Sequence, residues 1–302
     1  MKPLAEMSRE EAAGIRYVLT DIDGTLTTEG KLPAASYSAL WKLKEAGLRV
    51  IPVTGRSAGW CDCIAREWPV DGIVGENGAL AFWEERRPDS RFPALMTGYH
   101  PGAVRNDHPV LKKIRGRALA EVPGLRDAKD QFSRLFDIAL DFAEEEPALP
   151  LSAAGRVRAI ALEEGARAKI SSIHVNIWMG DYDKLSMAER FLSGRFGWQG
   201  GAGSGSAAGR RAAAGEEAAL REVLFAGDSP NDEPMFARFP LSCAVANIHR
   251  YQGMVKRLPA FVASGECGEG FAEIVETLLE LRSGGGRAEP GGYPPGPCRP
   301  GS

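Results

Sequence analysis

The segment Tyr17–Thr27, with the sequence YVLTDIDGTLT, constrains the fold of this chain more than any other. The residues from Ile15 to Thr20 are mostly apolar or β-branched and show no helical period, which is typical of a strand buried on both faces of a parallel sheet. Ligands of open α/β sheets bind at the carboxyl ends of the strands. We therefore expect the carboxylates of Asp21 and Asp23, followed by a turn at Gly24, at an edge of the sheet where a ligand binds.

Asp21 and Asp23 carry like charges one residue apart. Two carboxylates this close are unfavourable unless a cation lies between them, and a hard divalent ion with oxygen ligands meets that requirement. Asp-Gly is also a signal for a hairpin turn, so this segment alone is equally consistent with an acidic turn that has no chemical role.

Two later segments supply groups that bind phosphate. The segment Ile51–Ser57, IPVTGRS, is a second apolar strand that ends in Thr54 and Gly55, where a hydroxyl and a backbone amide lie before a predicted helix. Lys184 begins another predicted helix and offers a point charge to an anion.

A further apolar strand, Val223–Asp232 with the sequence VLFAGDSPND, ends in a polar loop. The loop carries Asp228, Asn231 and Asp232. In chain order the four segments therefore supply acids, a hydroxyl, a lysine and acids, which are the parts of a site for phosphoryl transfer.

Together these segments resemble the four motifs of haloacid dehalogenase superfamily phosphatases: DIDGT at Asp21, TGR at Thr54, Lys184, and GDSPND at Asp228. The resemblance covers about residues 14–282. It is greatest to the branch with a large cap between the second and third motifs (subfamily IIB), which includes sucrose-phosphate phosphatase, mannosyl-3-phosphoglycerate phosphatase and phosphomannomutase.

The resemblance implies a role for each motif residue. Asp21 is expected to be the nucleophile that forms an aspartyl-phosphate, and Asp23 the general acid and base. The expected ligands of Mg²⁺ are the Asp21 carboxylate, the backbone carbonyl of Asp23, Asp228, and Asp232 as a supporting ligand. The residues expected to bind the phosphoryl oxygens are Thr54, Gly55, Lys184 and Asn231, and Asn231 is also expected to help hold the loop of the metal ligands.

Alternating helical and strand patterns predict an α/β fold, a doubly wound, Rossmann-like, mainly parallel sheet with an inserted α+β cap domain. We expect a discontinuous core of residues 1–85 and 181–282, with a flexible insert at about 198–217. The cap is expected over residues 86–180 and a disordered tail, rich in glycine and proline, over 283–302.

The segment Ala168–Trp178 alternates between apolar and polar residues, which predicts one strand of the cap. One face, expected to pack on helices, carries Ile173, Val175 and Ile177. The opposite face, expected to be open towards the substrate's leaving group, carries Ser172, His174, Asn176 and Trp178. Two alternatives remain: a solvated role for His174, and a core or hinge role for Trp178. Asn77 is read as a turn residue in preference to a substrate contact.

Composition limits the function classes. A length of 302 residues fits about two domains. The net charge of -3 gives no sign of a nucleic-acid surface. No apolar run reaches the roughly 18 residues of a membrane span, and residues 1–12 lack the apolar core of a signal peptide. Five cysteines without a disulfide spacing suggest a reducing, cytoplasmic environment, in which Cys61 and Cys63 are packed thiols and not metal ligands.

These observations favour a magnesium-dependent phosphatase that hydrolyses a small phosphorylated metabolite, such as a sugar phosphate or a phosphoglycerate derivative. A phosphomutase would use the same nucleophile and protect its phospho-aspartate from water. A catalytically silent ligand-binding module is a third alternative, although no motif residue is missing. Neither the physiological substrate nor the oligomeric state follows from the sequence.

Overall fold

The computed structural model describes residues 1–171, 173–201, 209–251 and 253–284, with side chains of 209–214 excepted. The strands are β1 Lys2–Pro3, β2 Tyr17–Thr20, β3 Arg49–Pro52, β4 Ile73–Gly75, β5 Leu80–Glu85, β6 Ala94–Tyr99, β7 Arg126–Asp127, β8 Asp137–Asp141, β9 Arg167–Ile170, β10 His174–Trp178, β11 Val223–Gly227, β12 Leu241–Ala244 and β13 Phe261–Val262. The α-helices are α1 Arg9–Gly14, α2 Ala34–Glu45, α3 Ala58–Glu67, α4 Pro109–Glu121, α5 Leu151–Glu163, α6 Lys184–Phe196, α7 Gly209–Leu220, α8 Glu233–Arg238 and α9 Cys267–Arg282.

The central sheet has the strand order β1-β13-β12-β11-β2-β3, and all neighbouring strands are parallel. Adjacent residues of β2 face opposite sides: Val18 packs in a cluster with α2, α3 and α9, and Leu19 packs in a cluster with α6 and α8. Both residues are buried, as expected for a sheet covered by helices on its two faces. The predicted α/β, mainly parallel fold is therefore confirmed.

Because the strands are parallel, their carboxyl ends lie at one edge. In the register of the sheet, Thr20 of β2 pairs with Pro52 of β3 and with Ala226 of β11. The first, second and fourth motifs follow these three strand ends directly, so one edge of the sheet presents all three.

A second sheet, β4-β5-β6, is antiparallel and adjoins the central sheet through a parallel bridge between Val53 and Val74. Its last strand, Ala94–Tyr99, lies within the range that we expected for the cap, but it pairs along the whole of β5. The chain therefore remains with the core until after Tyr99, beyond the expected boundary at residue 86.

We call the segment from Pro109 to Trp178 the cap. It consists of α4, α5 and the antiparallel sheet β7-β8-β10-β9. Val175 and Ile177 pack on the two helices in an apolar cluster, as predicted. The predicted single strand is instead a hairpin of β9 and β10, in which Val175 pairs with Ile170. Ile173 lies in the turn before β10 and does not pack with that cluster. Ser172 lies outside the described residues.

Two further segments have regular structure. The N-terminal residues form β1 and then α1, whose N-terminus carries a capping box between Ser8 and Glu11. Part of the glycine-rich insert is also helical, since α7 covers Gly209–Leu220. The alanine, arginine and glutamate residues of this segment favour a helix in spite of its glycines. Residues 202–208 and the tail from residue 285 onward lie outside the described part of the chain.

Across the described residues, no helix is both long and apolar enough to cross a membrane.

Candidate active site

The first motif places Asp21 directly after β2, where its side chain meets Lys184. Lys184 is the first residue of α6, whose start is fixed by a capping box between Asp183 and Ser186. The Lys184 Nζ atom donates to Asp21 Oδ1 at 2.7 Å and to Asp232 Oδ1 at 3.1 Å. Lys184 and both carboxylates are buried. The third motif therefore contacts the first and the fourth motifs directly through this lysine.

Three carboxylates, those of Asp21, Asp228 and Asp232, offer oxygen atoms that all lie within 4.8 Å of one another. Lys184 is the cation that bonds to this group, so a net negative charge is left in a buried place. Hard divalent cations such as Mg²⁺ prefer carboxylate oxygens, and the donor set therefore fits that ion. The fourth expected ligand is the backbone carbonyl of Asp23, which belongs to the same DIDGT motif as Asp21. The Asp23 carboxylate is instead bound by Arg56.

The two acids of the fourth motif are held by hydrogen bonds. Asn247 donates from Nδ2 to Asp228 Oδ2 at 3.0 Å, and the Thr25 hydroxyl donates to Asp228 Oδ1 at 3.4 Å. Asp232 Oδ2 accepts the backbone N–H of Asp228 at 3.1 Å. The carboxylates are thus oriented before any ligand binds, and Asn247 is a residue that the sequence analysis missed.

Gly24 is required by this arrangement. Its φ of +83° lies in the region that favours glycine, and a Cβ atom there would approach Asp228 Oδ2 to 2.6 Å. The glycine of the DIDGT motif therefore allows the first motif to pass close to the fourth.

Burial shifts the protonation of these groups. Desolvation raises the pKa of Asp21 to about 7, with Asp232 and Asp23 adding to the shift and Lys184 opposing it. Desolvation, Asp232 and Asp21 also raise the pKa of Asp228 well above its usual value. For Lys184, desolvation lowers the pKa, but the carboxylates of Asp21 and Asp232 outweigh it and the net direction is upward. Lys184 is therefore a permanent cation beside acids that favour a counter-ion.

Asp23 is paired with Arg56, the third residue of the TGR motif, which sequence reasoning did not assign to the site. The guanidinium donates from Nη2 to Asp23 Oδ1 at 2.6 Å and from Nε to Asp23 Oδ2 at 3.1 Å. The Thr54 hydroxyl accepts the backbone N–H of Arg56 at 3.1 Å and so shapes this loop. A bidentate pair of this kind holds the Asp23 carboxylate in one orientation.

The edge of the sheet opens into a cavity of about 600 Å³ between the core loops and the cap. Of the predicted site residues, those that line it are Asp21, Asp23, Gly55, Asp228, Asn231, His174 and Asn176. Thr54 and Lys184 do not line it. The volume is in the range of pockets for small molecules.

Of the four residues expected on the open cap face, the three that the structure describes have different surroundings. His174 Nε2 is 2.7 Å from Glu144 Oε2, and Asn176 donates to Asp137 Oδ2 at 3.0 Å. Trp178 is only 2% exposed and packs in the core cluster, where its indole N–H donates to the Tyr182 carbonyl at 3.2 Å. The structure places Trp178 in the core role that the sequence left open, and not against the cavity.

Two buried side chains, those of Glu76 and Arg134, were absent from the sequence-based prediction and connect the cap to the core. The Glu76 carboxylate accepts the backbone N–H of Ala58 at 2.9 Å and, in the segment entering β8, those of Leu135 at 2.8 Å and Phe136 at 2.6 Å. Arg134 donates to the Gly55 carbonyl at 3.0 Å. The loop that carries Gly55 is therefore tied to the cap.

Asn77 has the turn conformation that we expected, and its side chain also faces the cavity. Its φ of 55° is a turn conformation, and its side chain lines the cavity and donates to Asp137 Oδ2 at 3.4 Å. Close contact of the cap with α3 also depends on Gly59, because a Cβ atom there would lie 2.7 Å from Ser133 Cβ.

Comparison with known proteins finds a matching family model and solved structures with the same fold. Residues 18–88 match the family model of haloacid dehalogenase-like hydrolases. The chain has the fold of these hydrolases. Among curated proteins, none matches the sequence significantly.

Several solved structures share this fold over most of their length. Protein 0175 of Thermoplasma acidophilum is 19% identical with a TM-score of 0.62, and the match covers 88% of this chain and 99% of that one. A haloacid dehalogenase-like hydrolase from Bacteroides thetaiotaomicron is 17% identical with a TM-score of 0.56, covering 87% and 98%. The sucrose-phosphatase from Synechocystis, solved with sucrose and phosphate, is 14% identical with a TM-score of 0.52, covering 87% and 97%.

Proposed function

We propose that the protein is a magnesium-dependent phosphatase that hydrolyses a small phosphorylated metabolite through an aspartyl-phosphate on Asp21. The observation that carries this proposal is the meeting of Asp21, Lys184 and the acids Asp228 and Asp232 beside a cavity under the cap. A nucleophile, a fixed cation and a site for a divalent ion together supply what phosphoryl transfer requires.

In the first step, a carboxylate oxygen of Asp21 attacks phosphorus, and the bond between phosphorus and the ester oxygen breaks. Asp23 donates its proton to the departing oxygen, which leaves as an alcohol. The hydrogen bonds from Arg56, which hold Asp23 in one orientation at the wall of the cavity, support this role. Lys184 and the loop amides after Thr54 balance charge on the phosphoryl oxygens.

In the second step, Asp23 removes a proton from a water molecule, whose oxygen attacks the phosphorus of the aspartyl-phosphate. Inorganic phosphate leaves, the Asp21 carboxylate is restored and Asp23 is again protonated. Asp21, Asp228 and Asp232, with the Asp23 carbonyl, are the groups that would hold the magnesium ion. When bound, the ion neutralises negative charge as the phosphoryl group is transferred.

The test is release of inorganic phosphate from an aryl phosphate and from a panel of phosphorylated metabolites, with magnesium present. We expect release by the purified protein, its loss with excess chelator, and its return when magnesium is added back. Conversion of one sugar phosphate into its isomer without free phosphate would instead identify a phosphomutase. Activity that survives the chelator would contradict the metal-dependent mechanism.

A further inference from the structure

Within the described part of the chain, Lys169 of the cap faces the cavity without a partner. It lies in β9, and in the register of the hairpin it stands opposite Asn176 of β10, so both residues are on the same face of the cap sheet. Both line the cavity that also contains Asp21. The Lys169 ammonium group is therefore directed into the space where the substrate's leaving group would lie.

The other charged cap side chains around this cavity are already paired. Arg134 bonds to Asp130 at 3.0 Å, His174 lies 2.7 Å from Glu144, and Lys129 lies 3.3 Å from Glu145. On the core side, Arg56 is paired with Asp23. Lys169 differs from all of these, because among the residues that the structure describes no carboxylate lies within 4 Å of its Nζ atom and no hydrogen bond is formed by its side chain.

The surroundings of Lys169 are unfavourable for an unpaired cation. Desolvation lowers its pKa, and the positive charges of Lys184 and Arg158 lower it further, with smaller opposing effects of Asp183 and Glu233. A partly buried cation near two others is stabilised by an incoming anion, since the anion supplies both the missing hydrogen-bond acceptor and the missing charge.

We propose that Lys169 binds a second anionic group, a carboxylate or a phosphate, on the leaving group of the substrate. This inference rests on the proposed phosphatase function and narrows its substrate class from phosphate monoesters in general to monoesters of acidic alcohols. In the proposed function, Asp21 and the loop amides after Thr54 meet the transferred phosphoryl group on the core side of the cavity, whereas Lys169 belongs to the cap. The two ends of one dianionic substrate would therefore contact different parts of the chain.

The experiment compares three small monoesters: glycerol phosphate, phosphoglycerate and propanediol bisphosphate. Their leaving groups are respectively neutral, a carboxylate and a phosphate ester. For the wild type we expect a higher kcat/KM for one or both acidic compounds than for glycerol phosphate. In Lys169→Met, the ratio of kcat/KM for the preferred acidic compound to kcat/KM for glycerol phosphate should fall by about 10- to 100-fold, which is the range for a lost hydrogen bond between charged groups. The loss should arise mainly from a higher KM for the acidic compound. Lys169→Arg should retain a substantial part of the preference.

Lys112→Met is the matched control, because it removes a lysine that is exposed on the cap helix α4. It should leave the ratio of specificity constants unchanged. A preference for phosphoglycerate would indicate that Lys169 binds a carboxylate, and a preference for propanediol bisphosphate would indicate that it binds a second phosphate.

Three outcomes separate the hypotheses. If the wild type hydrolyses monoesters without preferring acidic ones, or if Lys169→Met slows all three compounds equally, the assignment of Lys169 is wrong and the phosphatase proposal stands. If the wild type releases no phosphate from any monoester, the phosphatase proposal itself fails. Thermal unfolding of Lys169→Met identifies any loss that is due to misfolding, and Lys169→Arg then provides the test.

Discussion

At the scale of single residues, the site separates the two carboxylates of the first motif by giving them different partners. Asp21 bonds to a lysine, and Asp23, two residues later, bonds to an arginine. The two carboxylates are therefore in different electrostatic surroundings although they are neighbours in sequence. In the proposed mechanism Asp21 is the nucleophile beside Lys184, and Asp23 transfers protons from the orientation that Arg56 fixes.

This separation makes Arg56 a positioning residue, and its removal is a sharp test. Arg56→Met should lower kcat for an aryl phosphate by about 10- to 100-fold, because Asp23 loses its orientation, and change KM much less. Arg66→Met is the control, because Arg66 also pairs with an aspartate, Asp62, but does so on the surface of α3, the helix that follows Arg56. Equal kinetics of Arg56→Met and the wild type would show that the Asp23–Arg56 pair has no part in turnover.

At the scale of elements, the cap is attached to the core through a buried carboxyl group. Glu76 follows β4 and accepts N–H groups from the N-terminus of α3 and from the segment before β8. Desolvation and the nearby Asp137 raise the pKa of Glu76 to about 7, and the N–H groups oppose the shift. The raised value means that the folded protein keeps the proton of Glu76 up to about pH 7.

The pH dependence of stability follows from this shift. Because the pKa of Glu76 is higher in the folded state than in the unfolded chain, the folded state binds more protons between about pH 4.3 and 7. The stabilisation is complete below the unfolded pKa and is lost as the pH rises through the folded pKa near 7. We expect the wild type to lose on the order of 2 kcal/mol of unfolding free energy more than Glu76→Gln between pH 5 and 7.5.

Urea unfolding of both proteins at these two pH values measures the difference. The amide introduced by Glu76→Gln keeps one oxygen acceptor and cannot titrate, so this variant is the appropriate reference for the wild type. Parallel losses in the two proteins would mean that Glu76 is ionised throughout the range.

The elements of the core were predictable because their signals are local. The apolar runs before Asp21, Thr54 and Asp228 each mark a buried strand and its polar end. The signals for α1 and α7 were also present, in the Ser8–Glu11 capping box and in the alanine-rich composition of Gly209–Leu220. In α7 the alanine, arginine and glutamate residues outweigh the glycines.

Other features could not be predicted, because they depend on contacts between distant parts of the chain. Glu76 binds backbone groups 59 and 60 residues away, and Arg134 reaches a carbonyl 79 residues away. Trp178 follows the alternation of β10, but the nearby Tyr182 brings it into the core. Arg56 had a visible signal, since it is the charged residue of the TGR motif itself.

At the scale of the whole molecule, the parallel sheet contributes the reacting groups and the cap encloses the space above them. All four motif segments come from the core, whereas the cavity is completed by cap residues such as Lys169 and His174. This arrangement predicts that changes in the core affect every substrate, and that changes on the open cap face affect substrates according to their leaving groups.

The central claim, covalent catalysis by Asp21, is tested most directly by the rate of phosphate release from an aryl phosphate by Asp21→Asn at saturating magnesium. The amide is nearly isosteric with the carboxylate but cannot attack phosphorus, so the rate should fall at least about a thousandfold. Its thermal unfolding should remain a single cooperative transition, which would show that the fold is intact. A folded Asp21→Asn variant that releases phosphate at a rate close to that of the wild type would contradict the account.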